Sequence, residues 1–259
     1  IFGLFACSSD SADDQNIQKS LFTLLSSDET GMTFTNTSIE TPERNGGHYD
    51  YFYNGSGVAI VDINNDDLAD VFFAGNDTPN KLFLNEGDFK FQDISNNAGI
   101  ESVNWATGVS VVDINEDGWM DIYVCNSGPT IDDNLLANQL YVNNGDLTFT
   151  EMGAKYGIDD TSYSSQAAFF DMDKTGSKLK FRFFREGDRF RPLGMLGSKK
   201  LKSFFIDKKV PQNIRHRIPI LTNDKDDIIW VYGQRIAHFC RVTDKTKKML
   251  YVQGNRAIN

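Results

Sequence analysis

The 259-residue chain has only three cysteines, Cys7, Cys125 and Cys240. They are odd in number and far apart, which excludes a disulfide scaffold and a cysteine-rich zinc site. Histidine is equally scarce, and His48, His216 and His238 show neither metal-ligand nor catalytic spacing. No Walker A motif is present, so the sequence offers no phosphate loop of that kind. The longest apolar run, Ile1 to Cys7, is too short to span a bilayer as a helix. What remains is an ordinary globular composition, 40% hydrophobic and 24% charged.

The charge is unevenly placed. Up to Lys178 the chain has 7 Lys and Arg against 29 Asp and Glu; from Leu179 onward it has 19 against 7. A swing from net −22 to net +12 within one chain of net charge −10 points to two modules with different partners. The expected organisation is a leader and linker over 1–29, an acidic module over 30–178 and a basic module over 179–259.

The acidic module repeats itself. Gly57-Val58-Ala59-Ile60-Val61-Asp62 returns as Gly108-Val109-Ser110-Val111-Val112-Asp113, and a third copy begins at Gln166-Ala167-Ala168-Phe169-Phe170-Asp171. Spacings of about 50 residues are those of propeller blades or similar arrays. In each full copy a β-type run enters an Asp-rich turn, and three further β-type runs follow, the last two joined by a Gly-Asp turn. This is a four-stranded blade pattern.

The turns carry the chemistry. Asp62, Asn64, Asp66 and Asp70 stand at positions 1, 3, 5 and 9 of the first; Asp113, Asn115, Asp117 and Asp121 stand at the same positions of the second. Alternate residues of a tight loop converge on one centre, and Ca²⁺ takes 6–8 hard oxygen ligands. The carbonyls of Leu68 and Trp119 would complete the shell. Gly118 suits the sharp turn, where the first loop has Asp67. The twelfth positions are Phe73 and Val124, so these are not EF-hands. The alternative is a surface turn that binds nothing. The third copy keeps Asp171 and Asp173 but has Leu179 at the ninth position, which disfavours a cation there.

These residues resemble the FG-GAP/VCBS repeats of integrin-like β-propellers and secreted bacterial proteins, over about Gly57 to Asp173. The resemblance implies calcium-stabilised blades and an extracellular binding or adhesion role, with an unknown extracellular ligand and no catalysis. Two full copies and one broken copy cannot close a ring of 4–8 blades. The first residues, Leu4-Phe5-Ala6-Cys7, resemble a lipoprotein lipobox, which implies a lipid anchor at Cys7 and places the acidic module outside the cytoplasm.

The basic module mixes aromatics with arginines over Phe181 to Pro192. Ser198 is a plausible helix N-cap, and Leu201, Phe204 and Phe205 give an i, i+3, i+4 apolar face. Lys199, Lys200 and Lys202 would then lie in the first helical turns, where the dipole favours an anion. A solvated basic face is the alternative. Ile228–Gly233, Phe239–Val242 and Met249–Val252 read as strands, giving a small α+β unit. Trp230 and Tyr232 read as core rather than as base-stacking platforms. Such a positive charge suits nucleic acid, an anionic membrane or an acidic protein.

Arg185-Glu186-Gly187-Asp188-Arg189-Phe190-Arg191-Pro192-Leu193-Gly194 and Gly197-Ser198-Lys199-Lys200-Leu201-Lys202 resemble the C-terminal domain of bacterial tRNA(Ile)-lysidine synthases. So do Lys209-Val210-Pro211, Arg217-x-Pro219, Trp230-Val231-x-Gly233-x-Arg235-Ile236 and Val242-Thr243-x-x-Thr246-Lys247. The resemblance covers about Leu179 to Val252. It implies tRNA as partner, held by Arg185, Arg189, Arg191, Lys199, Lys200, Lys202, Arg215, Arg217 and Arg235. In that family ATP activates an anticodon cytidine that free lysine then attacks, within an N-terminal domain carrying an SGGxDS-type loop. That loop is missing from this sequence, so ATP enters only through an absent catalytic domain and the chain alone is expected to make no lysidine. The two resemblances imply opposite compartments, cell envelope or exterior for one and cytoplasm for the other. The expectation is a chimera, joined near 173–180, of incomplete propeller-like all-β calcium-loop repeats and a small α+β domain.

Overall fold

The computed structural model describes residues 23–130, 132–175, 178–243 and 245–255. Cys7 and the lipobox lie outside the described residues. No helix among them is long and apolar enough to cross a membrane.

Each full repeat folds into one four-stranded antiparallel meander. The first comprises β1 (Val58–Val61), β2 (Asp70–Phe73), β3 (Lys81–Gly87) and β4 (Lys90–Asp93), in that spatial order. The second comprises β5 (Ala106–Val112), β6 (Asp121–Asn126), β7 (Gln139–Asn143) and β8 (Phe149–Glu151), again in order. The register pairs Val61 with Asp70 and Val112 with Asp121, so each Asp-rich turn closes a hairpin and its ninth residue opens the next strand.

The two sheets share one core. Ala59, Ile63, Phe72 and Leu82 of the first pack with Ala106, Ile122, Val124 and Tyr141 of the second. The repeated glycines permit the approach. A Cβ on Gly57 would lie 2.7 Å from the Val109 nitrogen, and one on Gly108 would lie 2.6 Å from the Ser165 oxygen. Those distances are too short for a side chain, so glycine is needed where the first strands of successive units touch.

Gln166–Asp171 falls within β9 (Ser164–Asp171), but no third four-stranded sheet follows. Its partner is the last strand, β15 (Met249–Asn255), in antiparallel register from Asp171↔Met249 to Ser164↔Asn255. β9 is buried on both faces, and successive side chains of a strand point to opposite sides. Ala167 and Phe169 pack on Tyr123, Cys125, Leu140 and Val142 of the second repeat. Ala168 and Phe170 enter the core of the basic segment, where Phe170 meets Trp230 edge-on at 6.2 Å. The charge boundary at 178/179 is therefore bridged by a sheet with one strand on each side.

The basic segment is a small α+β unit. β10 (Lys180–Phe183), β13 (Pro219–Thr222) and β14 (Ile228–Val231) form a sheet in the order β10-β13-β14, and β11 (Arg189–Phe190) pairs with β12 (Lys199–Lys200). The helix Leu201–Asp207 buries the expected Leu201, Phe204 and Phe205 against Phe190, Trp230 and Val231. Its start differs from expectation. Lys200, not Ser198, is the N-cap, and the Leu201 N–H donates to the Asp188 carbonyl at 2.8 Å. Pairing of Phe190 with Lys199 draws both lysines into β12 and away from the helix end. Phe239–Val242 is also not a strand. His238–Cys240 makes a single 3₁₀ turn because Ala237 and His238 donate to carbonyls in different segments, those of Ile229 and Arg191.

Candidate functional sites: two acidic loops and a basic surface

The two Asp-rich loops superpose bond for bond. In the first, Asp62 accepts from the N–H groups of Asp66 (3.2 Å) and Asp67 (2.9 Å), Asp66 accepts from Leu68 (2.8 Å), and Asn64 Nδ2 donates to Asp66 at 2.8 Å. In the second, Asp113 accepts from Asp117 (3.1 Å) and Gly118 (3.0 Å), Asp117 accepts from Trp119 (2.8 Å), and Asn115 Nδ2 donates to Asp117 at 2.8 Å. Asp67 takes the left-handed turn (φ 68°) that Gly118 takes at φ 88°. Asp tolerates that conformation better than most residues, which keeps the first loop in the same shape without glycine.

The ninth-position carboxylates stand apart from the other ligand candidates in role. Asp70 is fully buried and accepts from Ile63 N–H at 2.9 Å and Asn85 N–H at 2.7 Å. Asp121, also fully buried, accepts from Ile114 at 2.7 Å and Asn143 at 2.8 Å. Each thus ties the end of one strand to the third strand of its sheet. Burial pushes the Asp121 carboxyl up to about 6, aided by Asp117 and Asp113 and opposed by the two N–H donors. Asp70 is raised for the same reasons. The donor set is all oxygen and carries surplus negative charge, as a hard cation requires. Among the described residues, however, no three His, Cys, Asp or Glu side chains stand close enough to hold a metal as they are. A backbone N–H bond leaves each of these carboxylates lone pairs free for a cation, so the loop hydrogen bonds and an ion are compatible.

Asp171 of the third copy is committed elsewhere. Lys174 Nζ lies 2.8 Å from it and Thr246 Oγ1 donates to it at 2.7 Å, while Lys247 N–H donates to Asp173 at 2.9 Å. Burial alone would raise the Asp171 pKa, but these cationic and hydroxyl partners hold it below the ordinary carboxylate value.

The basic residues divide into three groups. Arg191 donates to the Met195 carbonyl (2.7 Å), Arg215 to Val210 (2.9 Å) and Arg235 to Leu193 (3.0 Å), so each braces a loop. Arg185 pairs with Asp226 at 3.2 Å, and Lys199 pairs with Asp207. Arg189, Lys200, Lys202 and Arg217 are exposed and make no ion pair among the described residues. Arg189 and Lys200 are direct cross-strand partners in the β11–β12 pair.

The sequence reading passed over Arg182. Its guanidinium, 8% exposed, grips Asp188 with two nitrogens at 2.8 and 2.9 Å and reaches Asp226 at 3.0 Å. Only its place between two aromatics in a strand-like run marked it as inward-facing. Cys125 and Cys240 are buried free thiols, each pushed by burial up to about 12, and so are inert.

Comparison with known proteins assigns both segments. Residues 179–252 match the family described as TilS substrate C-terminal domain, and residues 62–124 match an FG-GAP-like repeat. A tRNA(Ile)-lysidine synthase of Dehalococcoides mccartyi is 46% identical over 94 residues, 36% of this chain and 20% of that protein. That of Caldanaerobacter subterraneus subsp. tengcongensis is 41% identical over 96 residues, 37% of this chain and 20% of that protein. A crystal structure of a TILS C-terminal domain is similar at 29% identity and TM-score 0.33, covering 37% of this chain and 73% of that one. The chain thus spans about a fifth of the length of these curated relatives. β9 lies before the matched residues 179–252 and pairs with β15, which lies at their end. Residues 62–124 carry the match to an FG-GAP-like repeat and residues 179–252 the match to the TilS substrate C-terminal domain, two families in one chain.

Proposed function

We propose that the C-terminal segment holds tRNA on the β11–β12 face. The observation that carries this reading is the pairing of Arg189 with Lys200. Like charges directly opposite one another destabilise a strand pair, and neither residue has a carboxylate partner among the described residues. A phosphate between them would turn the repulsion into two attractions, and Lys202, two residues further along the chain, adds an exposed cation. The likeness to tRNA(Ile)-lysidine synthases supports tRNA over other polyanions. Lysidine formation and its use of ATP belong in this proposal to another domain, so the chain with ATP, lysine and tRNA gives no turnover. The test is competition on the full chain. Unlabelled tRNA should displace labelled tRNA at far lower concentration than heparin of equal charge. Equal displacement would reduce the surface to a generic basic tail.

A second reading concerns the repeats. Their two loops make the same hydrogen bonds and carry carboxylates without ion-pair partners among the described residues, which supports one calcium ion per loop. Asp62, Asn64, Asp66 and Asp70 would hold one, and Asp113, Asn115, Asp117 and Asp121 the other. On this reading the two sheets are blades of an incomplete propeller, evolved to bind an extracellular ligand. Their union with a tRNA-holding segment is then a chimera of parts from different compartments.

A further inference from the structure

Trp230, the aromatic most prominent in the basic segment, is 1% exposed and belongs to the core. The two most exposed aromatic side chains of the segment lie on β10. This strand is at the edge of its sheet, with β13 on one side only. Phe181 and Phe183 are 57% and 58% exposed, and being two residues apart they share one face. Arg182 between them turns to the other face, where Asp188 and Asp226 hold it. No other ring among the described residues stacks on either phenylalanine.

The surroundings are cationic. Lys178, Lys180, Arg182 and Arg185 fall within eight residues that include no carboxylate. Asp226 is shared among three of them, and the side chains of Lys180 and Arg185 remain 51% and 60% exposed. Arg217, exposed and without an ion pair among the described residues, lies two residues before Pro219, the cross-strand partner of Phe183. Two open π-faces in a positive rim fit a ligand with flat apolar rings on an anionic chain. A duplex hides its base faces by stacking, whereas unpaired nucleotides can splay onto aromatics presented by a sheet. An apolar protein segment would use the rings but not the rim.

We propose that Phe181 and Phe183 form a stacking platform for unpaired nucleotides of RNA. This deepens the tRNA reading and rests on it. The full chain is titrated with a tRNA transcript, a short unstructured RNA oligonucleotide and a blunt RNA duplex. The variant Phe181→Leu/Phe183→Leu keeps apolar bulk at two exposed positions and removes the π-faces. It should bind the oligonucleotide about tenfold or more weaker, at unchanged salt slope, with duplex binding unaltered, while Phe181→Trp/Phe183→Trp binds like the parent. If the leucine variant binds the oligonucleotide as the parent does, while the parent binds tRNA, the platform is wrong and the tRNA reading stands. If the parent binds no tRNA, both fail. If the free chain dimerises and Phe181→Asp abolishes the dimer, the face belongs to a second copy and the platform is overturned.

Discussion

The hydroxyl of Tyr123 in the second repeat lies 2.7 Å from that of Tyr251 in the last strand, with ring centroids 5.4 Å apart. Tyr123 also bonds the Ile158 carbonyl at 2.7 Å. Next to this pair, Gln253 joins Asn138 at 2.9 Å and Ser164 at 2.6 Å. Burial raises the pKa of both tyrosines, so the bond stays protonated at ordinary pH.

The repeats and the basic segment should therefore unfold together. Urea unfolding is to be followed in single-tryptophan variants, with Trp105 or Trp119 reporting on the repeats and Trp230 on the basic core. The curves should coincide. Tyr251→Ala should destabilise both by about 3 kcal/mol, the order expected for a large side chain removed from a packed site. Two separate transitions would mean that the shared sheet contributes little.

Arg182 is a prediction about removing one half of a buried ion pair. Arg182→Ala leaves Asp188 buried and unpaired, and breaking such a pair costs about 3–5 kcal/mol. Arg182→Lys keeps the charge but loses the two-pronged grip, so it should fall well short of rescue. Thermal melts of the two variants check both statements.

Asp171 sets a pH dependence. Its folded pKa lies below the unfolded value, so it contributes stability above the unfolded pKa, and this is lost as pH falls through the depressed folded value. In Asp171→Asn the acid limb of the Tm–pH curve, below about pH 4, should be shallower and the Tm at neutral pH lower. An unchanged acid limb would remove Lys174 and Thr246 as effective partners of the carboxylate.

Calcium should raise the Tm of the full chain, because a ligand that binds only the folded state stabilises it, by about 2.7 kcal/mol for each loop at a hundredfold excess over Kd. Asp66→Ala/Asp117→Ala should abolish the shift and leave Tm without calcium nearly unchanged, since both residues are exposed. A shift of equal size with magnesium would make the loops general divalent-cation sites, and none with calcium would assign them a purely structural role.

Much of the repeat architecture was legible because it rests on local pattern. The Gly57 and Gly108 copies, the hairpin turns and the alternating strands specify two meanders without long-range information. The fate of Gln166–Asp171 was not legible. It has the look of a repeat strand, but its partner is about 80 residues away, and only the tertiary pairing with Met249–Asn255 decides it. Ser198 has the chemistry of a helix cap, yet Phe190 pairs Lys199 into β12 and moves the start to Leu201. Among the candidate tRNA contacts, spacing could not distinguish arginines that brace loops, such as Arg191 and Arg235, from one left open, such as Arg217. That distinction depends on which backbone carbonyls the loops leave free.

The most direct test of tRNA holding is the salt dependence of its affinity for the full chain. A plot of log K against log salt should be steep and linear, and Arg189→Ala/Lys200→Ala should lower the magnitude of its slope by about 0.7–0.9, the value for one phosphate no longer neutralised. An unchanged slope in the variant, or no tRNA binding by the parent at low salt, would contradict the account.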